Sequence, residues 1–225
     1  MHPSAMDNGR LFFDAYAAKI DGGIVVDIGS QDVNGSLREV CPPHLQYIGV
    51  DFADAKGVDV VLQDPYRLPF ANESVDVVVS SSCFEHSEFF WVLFLEILRV
   101  LKKPGLFYLN APSNGTFHRY PVDCWRFFPD SGAALVNWGL HNKVDVCLLE
   151  TYIRKQNEAV WSDCVSIFLK GGEYVSKFPT RITQSITDFY NAKTIDGIDF
   201  INFQEFPEDL QKIHQLEFQK ANNAA

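Results

Sequence analysis

The stretch GGIVVDIGSQDVNG, residues 22–35, decides the fold. Ile24 to Ile28 form a short β-branched run interrupted by one acid and cut off by Gly29, the pattern of a buried strand that turns sharply at its carboxyl end. The same form returns downstream. LQYIGVDF (45–52) and VDVVLQD (58–64) each read as a strand closed by an acidic residue, and SVDVVVSSS (74–82) and PGLFYLNAP (104–112) as a fourth and a fifth. EFFWVLFLEILRVL (88–101) is apolar almost all round, as a helix lying on a sheet should be. Upstream, NGRLFFDAYAAKI (8–20) has helical spacing with Asn8 as its N-cap, and 35–40 reads as a short helix. Downstream, 130–140 reads as a helix and 144–153 and 162–170 as two more strands. Strands alternating with helices over about 150 residues imply a doubly wound, Rossmann-like α/β fold. Its sheet should be mainly parallel and seven-stranded, with helices on both faces. The expected organisation is one domain over 1–225: a helical lead-in (1–22), a core (23–170) and an extension (171–225) of mixed polar and Phe content.

Composition removes several function classes. With 225 residues, 47% hydrophobic and 21% charged, the chain is long and apolar enough for one substantial core. A formal charge of −10 with no basic run opposes attraction to phosphate backbones, so nucleic acid is not an expected partner. The five cysteines, at 41, 83, 124, 147 and 164, are odd in number and lack close pairing, which fits a reducing cytoplasm better than a disulfide framework or a zinc cluster. No secretory leader is read at the start, and no apolar run is long enough to span a membrane. Monomer and homodimer remain equally open.

In an open parallel sheet, ligands sit outside the carboxyl ends of the strands. That rule selects Asp27, Gly29 and Ser30 after strand one, Asp51 and Phe52 after strand two, Asp64 after strand three, Ser80 to His86 after strand four, and Asn110 to Arg126 after strand five. Gly29 lets the backbone approach a ligand, and Asp51, 22 residues further on, is placed to accept hydrogen bonds from a ribose diol. The dinucleotide pattern G-x-G-x-x-G is absent, and Asp27 and Asp32 beside the turn would repel a pyrophosphate, though not an ammonium or a sulfonium. A nicotinamide dehydrogenase is thereby disfavoured.

The sequence resembles the class I S-adenosylmethionine-dependent methyltransferases, in particular the type 11 group. VVDIGS, GVDF and the run QDPYRLPFANESVDVVVSSSCFEHSEFFWVLFLEILRVLKKPGLFYLNAP carry the resemblance, in the group's order, from residue 24 to about 112. The chain departs from the pattern at Gln31, where a second glycine is usual, and at KKPGL, where Lys-Pro-Gly-Gly is usual. The resemblance implies S-adenosylmethionine as cofactor. It implies that Asp27, Gly29 and Ser30 lie around the homocysteine part, that Asp51 grips the ribose hydroxyls, that Phe52 flanks adenine, that Asp64 accepts from the adenine amino group with Pro65 beside it, and that Ser81 lines the cofactor from below. His86 is either a brace for the turn after strand four or a general base.

The segment APSNGTFHRYPVDCWRFFPDS (111–131) follows strand five, where this class places acceptor-binding residues. It supplies two base candidates, Asp123 and His118, with His86 a third, and acceptor-binding candidates in Arg119, Tyr120, Trp125 and Arg126. Carboxylates and guanidiniums suit hydroxyls, and aromatic rings suit a sugar face. The segment also resembles stretches of bacterial methyltransferases associated with polysaccharide synthesis, which implies a glycan or other small polar hydroxyl acceptor. Equally, Asp123 and Arg126 read as a structural ion pair with Trp125 filling the core. An N-methyltransferase acting on an amine and a non-catalytic cofactor-binding partner protein are the alternatives. No metal site is expected, because the aspartates are dispersed over several strand ends.

Overall fold

The computed structural model describes residues 2–156, 160–205 and 208–223. Among the described residues eight strands form one sheet in the order β3-β2-β1-β4-β5-β7-β6-β8, where β1 is Ile24–Ile28, β2 Gln46–Asp51, β3 Val60–Val61, β4 Val75–Ser81, β5 Leu101–Pro112, β6 Val146–Arg154, β7 Asp163–Lys170 and β8 Phe189–Thr194. The first five are parallel neighbours, β7 runs antiparallel to both β5 and β6, and β8 runs antiparallel to β6. The expected Rossmann-like α/β fold is present, but the sheet is not seven-stranded. The additional strand is β8, a polar edge strand supplied by the C-terminal extension.

Alternation along the strands sorts the core into two layers. Val26, Ile28, Val78, Phe107 and Phe168 form one layer with α2 (Phe90–Val100) and α3 (Pro129–His141). Val25, Val77, Val79 and Tyr108 face the N-terminal helix α1 (Pro3–Phe12) and the π-helical turn Phe13–Ala17, whose Phe12, Phe13 and Tyr16 are fully buried. Asn8 is not a cap. It lies inside α1, donates to Asn110 Oδ1 (2.9 Å) and accepts from Arg154, so a buried polar network claims the side chain that the sequence pattern assigns to a helix start. The expected helix at 35–40 is only a three-residue 3₁₀ turn, Leu37–Glu39. Glu150 of β6 ties the extension down by accepting from Tyr16 and from the backbone of Ile182 and Thr183. Beyond β8 the helix α4 (Glu208–Asn223) exposes Ile213, Leu216 and Phe218. Among the described residues no helix is long and apolar enough to cross a membrane.

After β1 the chain moves outward to β2 and β3, then returns to the other side of β1 as β4. The crevice at the carboxyl ends of β1 and β4 is the topological switch point.

Candidate active site

Gly29 takes φ +80°, and a Cβ there would lie 2.5 Å from the Cβ of Cys83, so the turn after β1 can pass beneath the turn after β4 only without a side chain. The backbone N–H groups of Gly29 and Ser30 both donate to the carbonyl of Val50. Asp51 closes β2 and accepts from the backbone of Phe52 (2.7 Å) and of Gln31 (3.3 Å), which fixes its carboxylate at the crevice floor. Ser82, just past β4, holds φ +53° without being glycine and donates its N–H to the Asn110 carbonyl. Strain of this kind persists where the surroundings over-determine the backbone, and such positions cluster at functional sites.

Above these turns lies an outer cavity of about 690 Å³, lined by Gly29, Gln31, Asp51, Phe52, Pro65, Ser81, Ser82, Cys83 and His86, and by residues 118–122 of the loop after β5. That loop is a strap across the mouth. Its Tyr120 hydroxyl donates to Gln31 Oε1 (2.8 Å), joining the strap to the first turn at the position where the sequence departs from the glycine pattern. An inner cavity of about 630 Å³ adjoins it, lined by His2, Asn34, Ser82, Glu85, His118, Trp161 and Asp163. Ser82 and His118 border both.

The structure sorts the expected residues. Gly29, Asp51, Phe52, Pro65 and Ser81 line the outer cavity with Arg119, Tyr120, His86 and His118. Asp27, Ser30 and Asp64 line neither. Asp27 is buried beneath the turn, where it accepts from the Tyr47 hydroxyl (2.6 Å). Ser30 is packed against Gly49 and Gly57, and Asp64 caps its own turn by accepting from Tyr66 N (2.8 Å). Trp125 and Arg126 also face neither cavity. Trp125 stands edge-on to Phe90 and Trp91 and donates to the Ser87 carbonyl, bracing the start of α2. Arg126 grips both oxygens of Asp123 at 2.6 and 2.9 Å and donates to the carbonyls of Thr116 and Trp125.

The Asp123 side chain is 2% exposed, also accepts from the backbone of His118 (2.7 Å), and is held by the Arg126 guanidinium well below the usual carboxylate range. A carboxylate so committed is a poor proton acceptor. Its place in the site is to fix His118, whose Nδ1 lies 3.4 Å from Asp123 Oδ2 and 3.2 Å from the Thr116 carbonyl. His86 Nδ1 is likewise tied to the Val122 carbonyl, and burial lowers the pKa of that ring. Carbonyl partners require Nδ1–H on both rings, which leaves both Nε2 atoms as lone-pair donors. The rings meet edge to face with centroids 5.0 Å apart.

Sequence reasoning placed Glu85 within the strand-four turn without a chemical role and did not single out Asp163. Glu85 is 1% exposed, its Oε2 has no hydrogen-bond partner, and burial pushes its pKa up to about 8. Asp163 opens β7 at 1% exposure with Oδ1 likewise unpartnered. The only sequence signal for Glu85 is an acid set between Phe84 and His86 directly after a strand end. Ligand atoms of Glu85, His86 and His118 lie within 4.8 Å of one another.

One consequence concerns stability. Burial raises the Asp27 pKa to about 7, against which the Tyr47 hydrogen bond works only in part. The folded chain therefore binds this proton more tightly than the unfolded chain, and the associated stability is present below about pH 4 and lost as pH rises to about 7. Asp27→Asn should flatten the wild-type decline over that window by up to about 4 kcal/mol, at about 1.4 kcal/mol per pKa unit. Melting temperatures of both proteins between pH 4.5 and 7.5 check this, and parallel curves would remove the assignment.

Residues 28–109, from the end of β1 through most of β5, match the family model of the type 11 methyltransferases, described as a methyltransferase domain. No curated protein matches the sequence. Among solved structures, the chain is similar to the Burkholderia thailandensis 1,6-didemethyltoxoflavin-N1-methyltransferase, determined with 1,6-didemethyltoxoflavin and S-adenosylhomocysteine bound, at TM-score 0.59 and 13% identity over 74% of this chain and 78% of that one. It is also similar to a Haloferax volcanii protein solved with the Trm112 methyltransferase activator, at TM-score 0.53 and 16% identity over 74% and 91% of the two chains. A third likeness, at TM-score 0.52 and 14% identity over 73% and 81%, is to the [4+2]-cyclase SpnF. At these identities the likeness is one of fold. The family match covers about a third of the chain and the structural likeness is one of fold, a fold that also hosts a cyclase, so the reaction has to be argued from the site.

Proposed function

We propose that the chain is an S-adenosylmethionine-dependent methyltransferase that methylates a hydroxyl of a small polar acceptor, of the sugar or glycan class, held in the inner cavity. The observation that carries this reading is the junction: two cavities, each large enough for a small molecule, meet at Ser82 and His118. One takes the donor and the other the acceptor.

The outer cavity suits the donor. The Gly29 turn is a cradle that a Cβ would fill, and the Asp51 carboxylate stands where a ribose diol can donate to it, with Phe52 and Pro65 as apolar flanks. Once bound, the cofactor supplies a sulfonium methyl as electrophile. The chain's own part is alignment and water exclusion. Tyr120 and Gln31 roof the outer cavity, and Arg119 borders it. In the inner cavity the free oxygens of Glu85 and Asp163 accept from acceptor hydroxyls, while Trp161, packed on His118 with centroids 4.8 Å apart, offers a flat apolar wall. Activation of the hydroxyl falls to the Glu85, His86 and His118 cluster, with Asp123 positioning His118.

Calorimetric titration tests the donor half: S-adenosylmethionine and S-adenosylhomocysteine should bind and NAD should not. Asp51→Ala should weaken S-adenosylhomocysteine at least about tenfold, since charge-assisted hydrogen bonds contribute about 1.5 to 3 kcal/mol. Unchanged affinity in a folded Asp51→Ala protein would sink the ribose assignment.

A further inference from the structure

We infer that Glu85, His86 and His118 form a binding site for one divalent cation of the zinc and first-row transition-metal class, set where the donor and acceptor cavities meet. Three observations converge. Their ligand atoms lie within 4.8 Å of one another, with His86 Nε2 3.7 Å from Glu85 Oε1. Each imidazole is oriented through its other nitrogen, His86 by the Val122 carbonyl and His118 by the Thr116 carbonyl with Asp123 behind it. That is the outer-shell arrangement that turns an Nε2 lone pair toward a metal and fixes the tautomer. Third, Glu85 is a buried carboxylate whose Oε2 has no partner and which lines the inner cavity, and an isolated buried acceptor of this kind lacks compensation until a cation or donor arrives.

The charge around the cluster favours a cation. Asp163, also with a free oxygen, faces the same cavity, and the Arg126 guanidinium is neutralised by its grip on Asp123. Two imidazoles and one carboxylate suit zinc, manganese, iron or cobalt better than magnesium, which prefers oxygen ligands. Three protein ligands leave positions open toward the inner cavity for an acceptor's hydroxyl oxygens. A coordinated hydroxyl gives up its proton to water more readily, which answers the question left by the committed Asp123. The inference deepens the methyltransferase reading in what the cluster does, yet the cation is measured without turnover.

The test uses the full chain, stripped with a chelator, dialysed and titrated with Co²⁺ while visible d–d absorption is followed, then challenged with Zn²⁺. One equivalent of Co²⁺ should bind and be displaced by Zn²⁺, and affinity should fall at least about tenfold in both Glu85→Gln and His118→Ala. Because Glu85 is buried and its variant can misfold, the partly exposed His118 is the deciding position. A His118→Ala protein with native melting temperature that binds Co²⁺ as tightly as wild type overturns the site, as does a wild type that binds none. Titrating S-adenosylhomocysteine into the same samples separates the two ideas. Cofactor binding without Co²⁺ binding overturns the cation alone, and Co²⁺ binding without cofactor binding overturns the methyltransferase reading while supporting the cation.

Discussion

Asp123→Ala should lower the melting temperature by about 10 °C. The carboxylate is buried, paired in fork geometry with Arg126, and accepts the backbone N–H of His118, so its removal leaves a guanidinium and an amide without their acceptor. Breaking a buried pair by deleting one partner costs about 3 to 5 kcal/mol, and the partial exposure of Arg126 argues for the lower end. For a chain of this length, about 3 kcal/mol corresponds to roughly 6 to 12 °C. Asp123→Asn, which keeps one acceptor, should lose less. Cofactor affinity measured well below the melting temperature should be unchanged in both, because Asp123 faces neither cavity. Full wild-type stability in Asp123→Ala would show that the strap does not depend on this pair and would restore the residue as a free carboxylate.

The contrast between Asp51 and Asp123 shows what a sequence exposes. Asp51 ends the strand that follows the Gly29 turn, 22 residues on, and local patterning alone sends it to the crevice. The same holds for Gly29, Phe52, Pro65 and Ser81, all within a few residues of a strand end. Asp123 and Arg126 stand three apart in a loop, a spacing compatible with an acceptor wall and with an internal pair, and only the path of the strap chooses between them. That path is set by distant partners: the N–H groups of Cys124 and Trp125 both donate to the Glu85 carbonyl, and that of Phe127 donates to Pro112. Glu85 was hidden for the same reason, since its burial is created by a segment 35 to 40 residues later. The inner cavity was further out of reach. His2 and Asp163, 161 residues apart in sequence, approach within 3.6 Å, a juxtaposition without local signature.

Misread elements follow the same division. β1 and β4 carry dense Val and Ile runs, whereas β8 reads FYNAKT, pairs with β6 and bridges Ile201 through Ala192, so its strand character comes from its neighbours and not from its own pattern. Asn8 precedes a helical apolar pattern and so resembles a cap, but its amide reaches Asn110 across the sheet end. Trp125, which the sequence leaves open between a stacking platform and a packing residue, packs on Phe90. In each case tertiary contact overrides a local rule that is sound on average.

The variant with the largest expected effect on chemistry is His118→Ala. His118 borders both cavities, its backbone and Nδ1 are anchored to Asp123 and Thr116, and a ring nitrogen lies within 4.8 Å of ligand atoms of His86 and Glu85. Whether that nitrogen takes the proton directly or holds a cation that does the work, a hydroxyl acceptor loses its activation when the ring is removed, and kcat should fall by at least about a hundredfold. Cofactor affinity should change little, because Gly29, Asp51 and Phe52 are untouched. An amine acceptor needs no such activation once neutral, so on amines the same variant should retain most of its rate. Conversion of S-adenosylmethionine to S-adenosylhomocysteine, followed with a panel of sugars and amines, therefore reads the acceptor class and the role of the residue together. A hundredfold loss confined to hydroxyl acceptors supports O-methylation. Equal rates for His118→Ala and wild type on a sugar that wild type methylates would exclude His118, in either role, from the chemistry and leave His86 as the group to test next.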